Sequence, residues 1–134
     1  MRAEIDRESW SEESKRSYAY GFNDRFYSDI ERKCAHCSTV FVFLGETQKQ
    51  IFELEKRYIW FRPRLCVDCH LERSGLREQA RYFQQSWNEN RALKSDRGFL
   101  LGWLHVLECL PNYTEAENVS MISTLKKHIG ALDV

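Results

Sequence analysis

The sequence predicts an α+β chain, mostly helical, in which a small metal module with a short β-hairpin packs against helices from both ends. Three observations carry that reading. Cys34-Ala-His-Cys37 and Cys66-Val-Asp-Cys69 supply four thiols in two pairs with two-residue gaps. Between the pairs lies a β-branched and aromatic run, and beyond them apolar side chains recur at steps of three and four.

With 134 residues, 43% of them hydrophobic and 13% aromatic, the chain can bury a core of its own and is not a disordered segment. Lys plus Arg and Asp plus Glu balance at 20 each, so no net field attracts polyanions, and any nucleic-acid contact must come from a local patch. No apolar run reaches the roughly 20 residues of a membrane span, and Met1-Arg-Ala-Glu-Ile-Asp-Arg-Glu8 lacks the apolar stretch of a signal peptide. A cytoplasmic protein with reduced thiols is expected.

Three regions follow in order. Residues 1–33 are expected to form an N-terminal helical arm, in which Tyr18, Phe22, Phe26 and Ile30 step by four and make an aromatic stripe on one helix face. The stripe is expected to pack on the metal module, since large exposed apolar patches are uncommon on monomers. Gly21 costs a helix about 1 kcal/mol relative to Ala, and a break there leaves 22–31 as a turn or strand.

Residues 34–75 are the metal module. Thr39-Val-Phe-Val-Phe-Leu44 has strand composition and Gly45 ends it. Glu46 to Arg57 is rich in helix formers, with Ile51, Phe52 and Glu55 on adjoining positions of one face. Tyr58-Ile-Trp-Phe61 is expected to pair as the second strand, with Pro63 marking its end. This is the layout of a zinc ribbon, a β-hairpin with a helix inserted between its two cysteine knuckles.

Residues 76–134 form the C-terminal helical region. Leu76, Ala80, Phe83 and Trp87 predict a helix running from about Leu71 to Lys94. Ser95-Asp96 can cap a second helix, whose face carries Phe99, Leu100, Trp103, Leu104, Leu107 and Leu110 up to Pro111. Thr114-Glu-Ala-Glu117 has capping-box spacing before Val119, Ile122, Leu125 and Ile129, and Gly130 is a stop signal. The three regions are expected to form one compact unit.

Four thiolates can close a tetrahedral shell around one Zn2+, and five cysteines would leave one over in any disulfide scheme. A closed shell has no position for water, so the expected role is structural and no catalytic residue is assigned. Four sulfurs and the ion carry a formal charge of about −2, which Arg32, Lys33, Arg64 and Arg73 are placed in sequence to offset.

The segment from Lys56 to Arg64 is the sharpest candidate for a ligand-binding surface. Lys56, Arg57, Arg62 and Arg64 alternate with Tyr58, Trp60 and Phe61, with no acid among them, a pattern that grips phosphates and stacks bases. The plainer reading is a strand whose rings face the core and whose cations are solvated.

Leu65-Cys-Val-Asp-Cys-His70 is similar to the C-terminal part of the HNH nuclease motif, which makes a nuclease or its relic the enzyme alternative. That chemistry needs a further histidine pair between the cysteine pairs, and no His lies between 38 and 65. His70 is then a surface residue, an outer-sphere partner of the metal site or a substitute ligand. His36 is expected to point to solvent without a role, and Cys109, four residues after His105, to pack in the core. A zinc-linked thiol redox switch is the remaining alternative.

From Cys34-Ala-His-Cys-Ser-Thr-Val-Phe-Val-Phe-Leu-Gly-Glu-Thr-Gln48 to Pro63-Arg-Leu-Cys-Val-Asp-Cys69, the chain resembles the bacterial family described as "probable zinc-ribbon domain" over about residues 32–73. The resemblance implies Cys34, Cys37, Cys66 and Cys69 as zinc ligands and carries over nothing else. The chain departs from the family pattern at His70, where the family has Arg, and at Lys56-Arg-Tyr58, where the family has a glycine-containing turn. The expectation is a structural-zinc, non-enzymatic binding adaptor for a protein partner or nucleic acid, with no membrane association and no small-molecule substrate.

Overall fold

The structure, a computed structural model, describes residues 2–133. Helix dominates, and among the described residues the strands form one two-stranded antiparallel sheet. The chain divides into two compact units, the first made of the residues up to Cys34 together with Ser38–Cys66, the second of Ala35–Cys37 and the residues from Val67 onward.

In the first unit the chain opens with a short pairing, Tyr27 N–H donating to Ala3 O and Ile5 N–H to Arg25 O, each at 2.9 Å. Helix α1 (Glu12–Lys15) follows, capped by Ser11, whose hydroxyl accepts from Ser14 N–H. The stripe expected at Tyr18, Phe22, Phe26 and Ile30 is not a helix face. A single 3-10 turn at Tyr18–Gly21 ends where Gly21 weakens the helix, and the chain then runs extended. Tyr18 is 90% exposed, while Ala19 and Tyr27, off the stripe, are buried.

The hairpin is built from β1 (Ile30–Lys33) and β2 (Val40–Phe43), with Ile30 opposite Phe43 and Lys33 opposite Val40. Its loop is the first cysteine pair. Cys34 N–H donates to Thr39 O at 2.8 Å, Ser38 N–H donates to Cys34 O at 3.0 Å, and Ser38 takes the left-handed φ of 66° that closes the turn. The partner strand is therefore the segment before Cys34. Tyr58–Phe61 forms a turn instead of the expected strand, Phe61 N–H bonding back to Tyr58 O at 2.9 Å.

Helix α2 (Gly45–Lys49) starts directly after β2 and widens into a π-helical turn at Gln50–Leu54. Gly45 is required by packing: a Cβ there would lie 2.6 Å from Tyr27 O, and the Gly45 N–H donates to Asp29 Oδ1. The helical turn ends at Leu54 with Glu55 as its cap, and Lys56 follows with a φ of 60°, the conformation glycine adopts at no steric cost. The departure from the glycine-containing turn thus falls on the residue that needs the left-handed backbone, and the Lys56 ammonium bonds to Ser9 O.

Trp10, Tyr27, Phe43, Phe52 and Ile59 are the larger side chains of this unit's core. Polar ties run through it: Tyr27 Oη accepts from Trp10 Nε1 at 2.9 Å and donates to Glu53 Oε2 at 2.8 Å, while Lys49 Nζ lies 2.9 Å from Glu53 Oε1. Asp6 N–H adds a further bond to the Glu53 carboxylate, so a buried charge is fully partnered.

The second unit is helical. Helix α3 (Val67–Glu89) starts inside the second cysteine pair, four residues before the expected Leu71, and ends five residues before the expected Lys94, where Asn90 starts a 3-10 turn. Helix α4 (Arg97–Cys109) is capped by Asp96, whose carboxylate accepts from Phe99 N–H. Helix α5 (Val119–Leu132) is capped by Asn118 and not by Thr114, which sits in the left-handed region (φ 70°) closing the preceding turn. It passes Gly130 and ends at Leu132.

Leu100, Trp103, Val106, Leu107, Leu110, Ile122 and Leu125 make the core of this unit, with Leu76, Ala80, Phe83 and Trp87 of α3 packed on it. Gly102 lets the Phe83 ring approach α4, a Cβ there meeting the ring at 3.2 Å. Cys109 is half-buried beside His105, its sulfur 3.6 Å from Nε2, and lies outside the core that was expected to hold it.

Candidate metal centre

The sulfurs of Cys34, Cys37, Cys66 and Cys69 all lie within 4.8 Å of one another. Cys34 directly follows the strand β1 and Cys37 lies further along the hairpin loop. Cys66 directly precedes α3 and Cys69 lies in its first turn. Cys34 and Cys69 are buried, Cys66 is half-buried and Cys37 is exposed.

Zn–S bonds of about 2.3 Å in a tetrahedron put sulfurs roughly 3.8 Å apart, a separation within the 4.8 Å limit of this cluster. The donor set, four soft thiolates, fits Zn2+ and leaves no coordination position for water. Arg32, Lys33, Arg64 and Arg73 are the cations expected to balance the charge. Arg32 Nε donates to Pro63 O at 3.2 Å, Arg73 Nη1 donates to Thr114 Oγ1 at 3.1 Å, and Lys33 and Arg64 are exposed.

His36 departs from the expectation of a residue without a role. It stays exposed, but its ring stacks on Tyr113 with centroids 4.0 Å apart and planes within 18°, and its Nδ1 lies 2.9 Å from Asn112 O. Tyr113 Oη donates to Glu72 Oε2 at 2.7 Å, and that bond is the main reason its hydroxyl pKa is pushed up to about 12. Ligand atoms of His36, Cys69 and Glu72 also lie within 4.8 Å of one another. The Glu72 position was legible as Cys69-x-x-Glu72, a helical i,i+3 spacing, but Tyr113 was not, being 77 residues from His36. His70 is exposed on α3 with Nδ1 3.2 Å from Arg73 Nη2, and it is not part of either ligand set.

The segment from Lys56 to Arg64 splits in two ways. Its apolar side chains divide between core and surface: Ile59 is buried, the Phe61 ring packs on the core, and the Tyr58 and Trp60 rings are exposed, with Phe22 edge-on to Trp60 at 6.2 Å. Its cations are mostly engaged inside the unit. Arg57 stacks on Phe61 at 3.8 Å, Arg62 Nη1 donates to the carbonyls of Ile59 and Phe61, and Lys56 holds Ser9 O. Burial, and then the charge of Arg32, lower the pKa of Arg62. Arg64 stands exposed. Tyr18, Tyr58 and Trp60 border one open hollow of the first unit together with Arg16.

Comparison of the chain with protein-family models, with curated proteins and with solved structures returned no match. No match supports the zinc-ribbon resemblance, and the metal centre rests on the clustering of four sulfurs. Among the described residues no helix is long and apolar enough to cross a membrane.

Proposed function

We propose that the chain is a zinc-stabilised binding adaptor of zinc-ribbon type without catalytic activity, whose metal is held by Cys34, Cys37, Cys66 and Cys69 and whose partner is another polypeptide. The clustering of the four sulfurs within 4.8 Å carries the reading, because a shell closed by four thiolates has a structural role and leaves function to a surface. Bound there, zinc supplies cross-linking energy and fixes the hairpin loop against the residues leading into α3.

The surface that fits is the ring patch of Tyr18, Phe22, Tyr58 and Trp60. Exposed tyrosine and tryptophan are the side chains that dominate polypeptide interfaces. Three of the four cations expected to grip phosphates are instead engaged by carbonyls or a ring, which weighs for a polypeptide over nucleic acid.

Two measurements test the reading. Metal analysis after dialysis should find zinc retained in the native chain and lost from Cys34→Ser. Capture of partners from the native cell should depend on the ring patch, with Tyr58→Ala/Trp60→Ala as the control that binds zinc normally and captures nothing. Binding of a single-stranded oligonucleotide that weakens steeply with salt would overturn the choice of polypeptide. Zinc loss on dialysis of the native chain would overturn the metal centre itself.

A further inference from the structure

We propose that His36, Cys69 and Glu72 form a second metal site, for a divalent ion such as Zn2+, in which Cys69 bridges to the ion of the four-cysteine set. The inference rests on that four-thiolate reading, because the shared sulfur must be a thiolate.

Three features place the donors. Their ligand atoms already lie within 4.8 Å of one another. The Asn112 carbonyl can only accept, so at 2.9 Å it fixes the proton on His36 Nδ1 and leaves Nε2 as the ligating nitrogen, the arrangement by which outer hydrogen bonds orient metal-bound imidazoles. Tyr113 positions His36 and Glu72. Its ring stacks under His36, and its hydroxyl takes one oxygen of the Glu72 carboxylate and leaves the other for a metal.

Charge favours the same assignment. Four thiolates with one Zn2+ carry a formal charge of about −2, and Glu72 adds another negative charge beside them, so a second dication is drawn to this point. Imidazole nitrogen, thiolate sulfur and carboxylate oxygen are each ordinary zinc donors, and three protein ligands leave a fourth position. An open pocket of about 480 Å³, bordered by His36, Glu72, Gln79 and Tyr113, gives water access to that position. The second ion is therefore exchangeable and weaker, where the first is closed in by sulfur.

The test is a titration of the reduced, metal-free full chain with Co2+, read by its absorption bands and confirmed by Zn2+ competition against a chromophoric chelator. The native chain should take two equivalents, the second more weakly. His36→Ala/Glu72→Gln should take one, with the thiolate-to-cobalt charge-transfer band of the first equivalent intact, which shows that the variant still folds around the four sulfurs. Tyr113→Phe, at a positioning residue, should keep two equivalents but weaken the second by about 10- to 100-fold. One equivalent in the native chain overturns the second site and leaves the four-thiolate reading standing. Two equivalents in His36→Ala/Glu72→Gln overturn it as well, since the second ion is then held elsewhere. No binding by the native chain removes both readings.

Discussion

In the first unit three buried polar side chains, Ser14, Gln48 and Glu53, hold stretches of chain that have little regular structure, whereas the core cluster of the second unit, drawn from α4, α5 and the turn between them, is made of hydrophobic side chains, with the Trp103 indole N–H buried without a hydrogen bond. Ser14 Oγ accepts from Ile59 N–H at 2.9 Å, Gln48 Nε2 donates to Ser28 O and Phe43 O, and Glu53 gathers Tyr27, Asp6 and Lys49. Helices satisfy their own backbone groups, so the second unit needs only volume and shape complementarity. Turns and extended chain do not, so the first unit must supply partners one by one, and each such side chain becomes a point at which it can fail.

The comparison is broken most strongly at the metal. Cys66→Ser, or chelation of the native chain, should unfold the first unit, because structural zinc contributes on the order of 10 kcal/mol of apparent free energy in such modules. The helical circular dichroism of the second unit should largely survive while the near-ultraviolet signal from Trp10 and Tyr27 collapses. Equal loss of both signals would show that the units do not differ in this way.

Next in size is the apolar core. Leu125 is fully buried, and Leu125→Ala should cost roughly 2–5 kcal/mol, the range for a leucine truncated in a packed core. Denaturant melts should show that loss in the helical signal.

Tyr27→Phe tests the polar ties. It strands Trp10 Nε1 and removes one of the two bonds to Glu53 Oε2, which keeps the Asp6 N–H, and should cost about 1–3 kcal/mol. It should also change the alkaline limb of stability. Burial foremost raises the Tyr27 hydroxyl pKa above its ordinary value of about 10, so folding favours the neutral phenol. The stabilisation is whole below that unfolded-state value and is lost as pH climbs from there toward the folded-state value. Native protein should therefore lose stability above about pH 10 more steeply than Tyr27→Phe. Parallel pH–stability curves would argue against the buried phenol as the cause.

The smallest effect is local to the second unit. Asp96→Ala removes the carboxylate that accepts from Phe99 N–H and should cost about 1 kcal/mol. Asp96→Asn should restore most of it, since an amide oxygen caps as well.

The second unit was the more legible in sequence. Leu76, Ala80, Phe83 and Trp87, and then Phe99 to Leu110, repeat with the helix period, and each face that the period predicts is a face that packs. The helix boundaries shifted where capping chemistry decided them: Asn118 replaced Thr114 because a left-handed turn intervenes. In the first unit the four-residue spacing from Tyr18 to Ile30 was the same kind of signal but a false one, because extended chain and 3-10 turns bury whichever side chain the tertiary path turns inward. Tyr27 is buried because it meets Trp10 and Glu53, and no local period reports that meeting.

The sequence by itself determined the four-cysteine set, since two-residue gaps bring paired sulfurs together through local turns, and it determined the helices that carry their own periodic faces. Only the tertiary structure decided that β1 and not Tyr58–Phe61 pairs with β2, that the cations of the Lys56 to Arg64 segment are largely engaged, and that His36 lies on Tyr113 beside Glu72. Those are contacts between residues far apart in the chain, and they follow from how the whole chain closes and not from the spacing of neighbours.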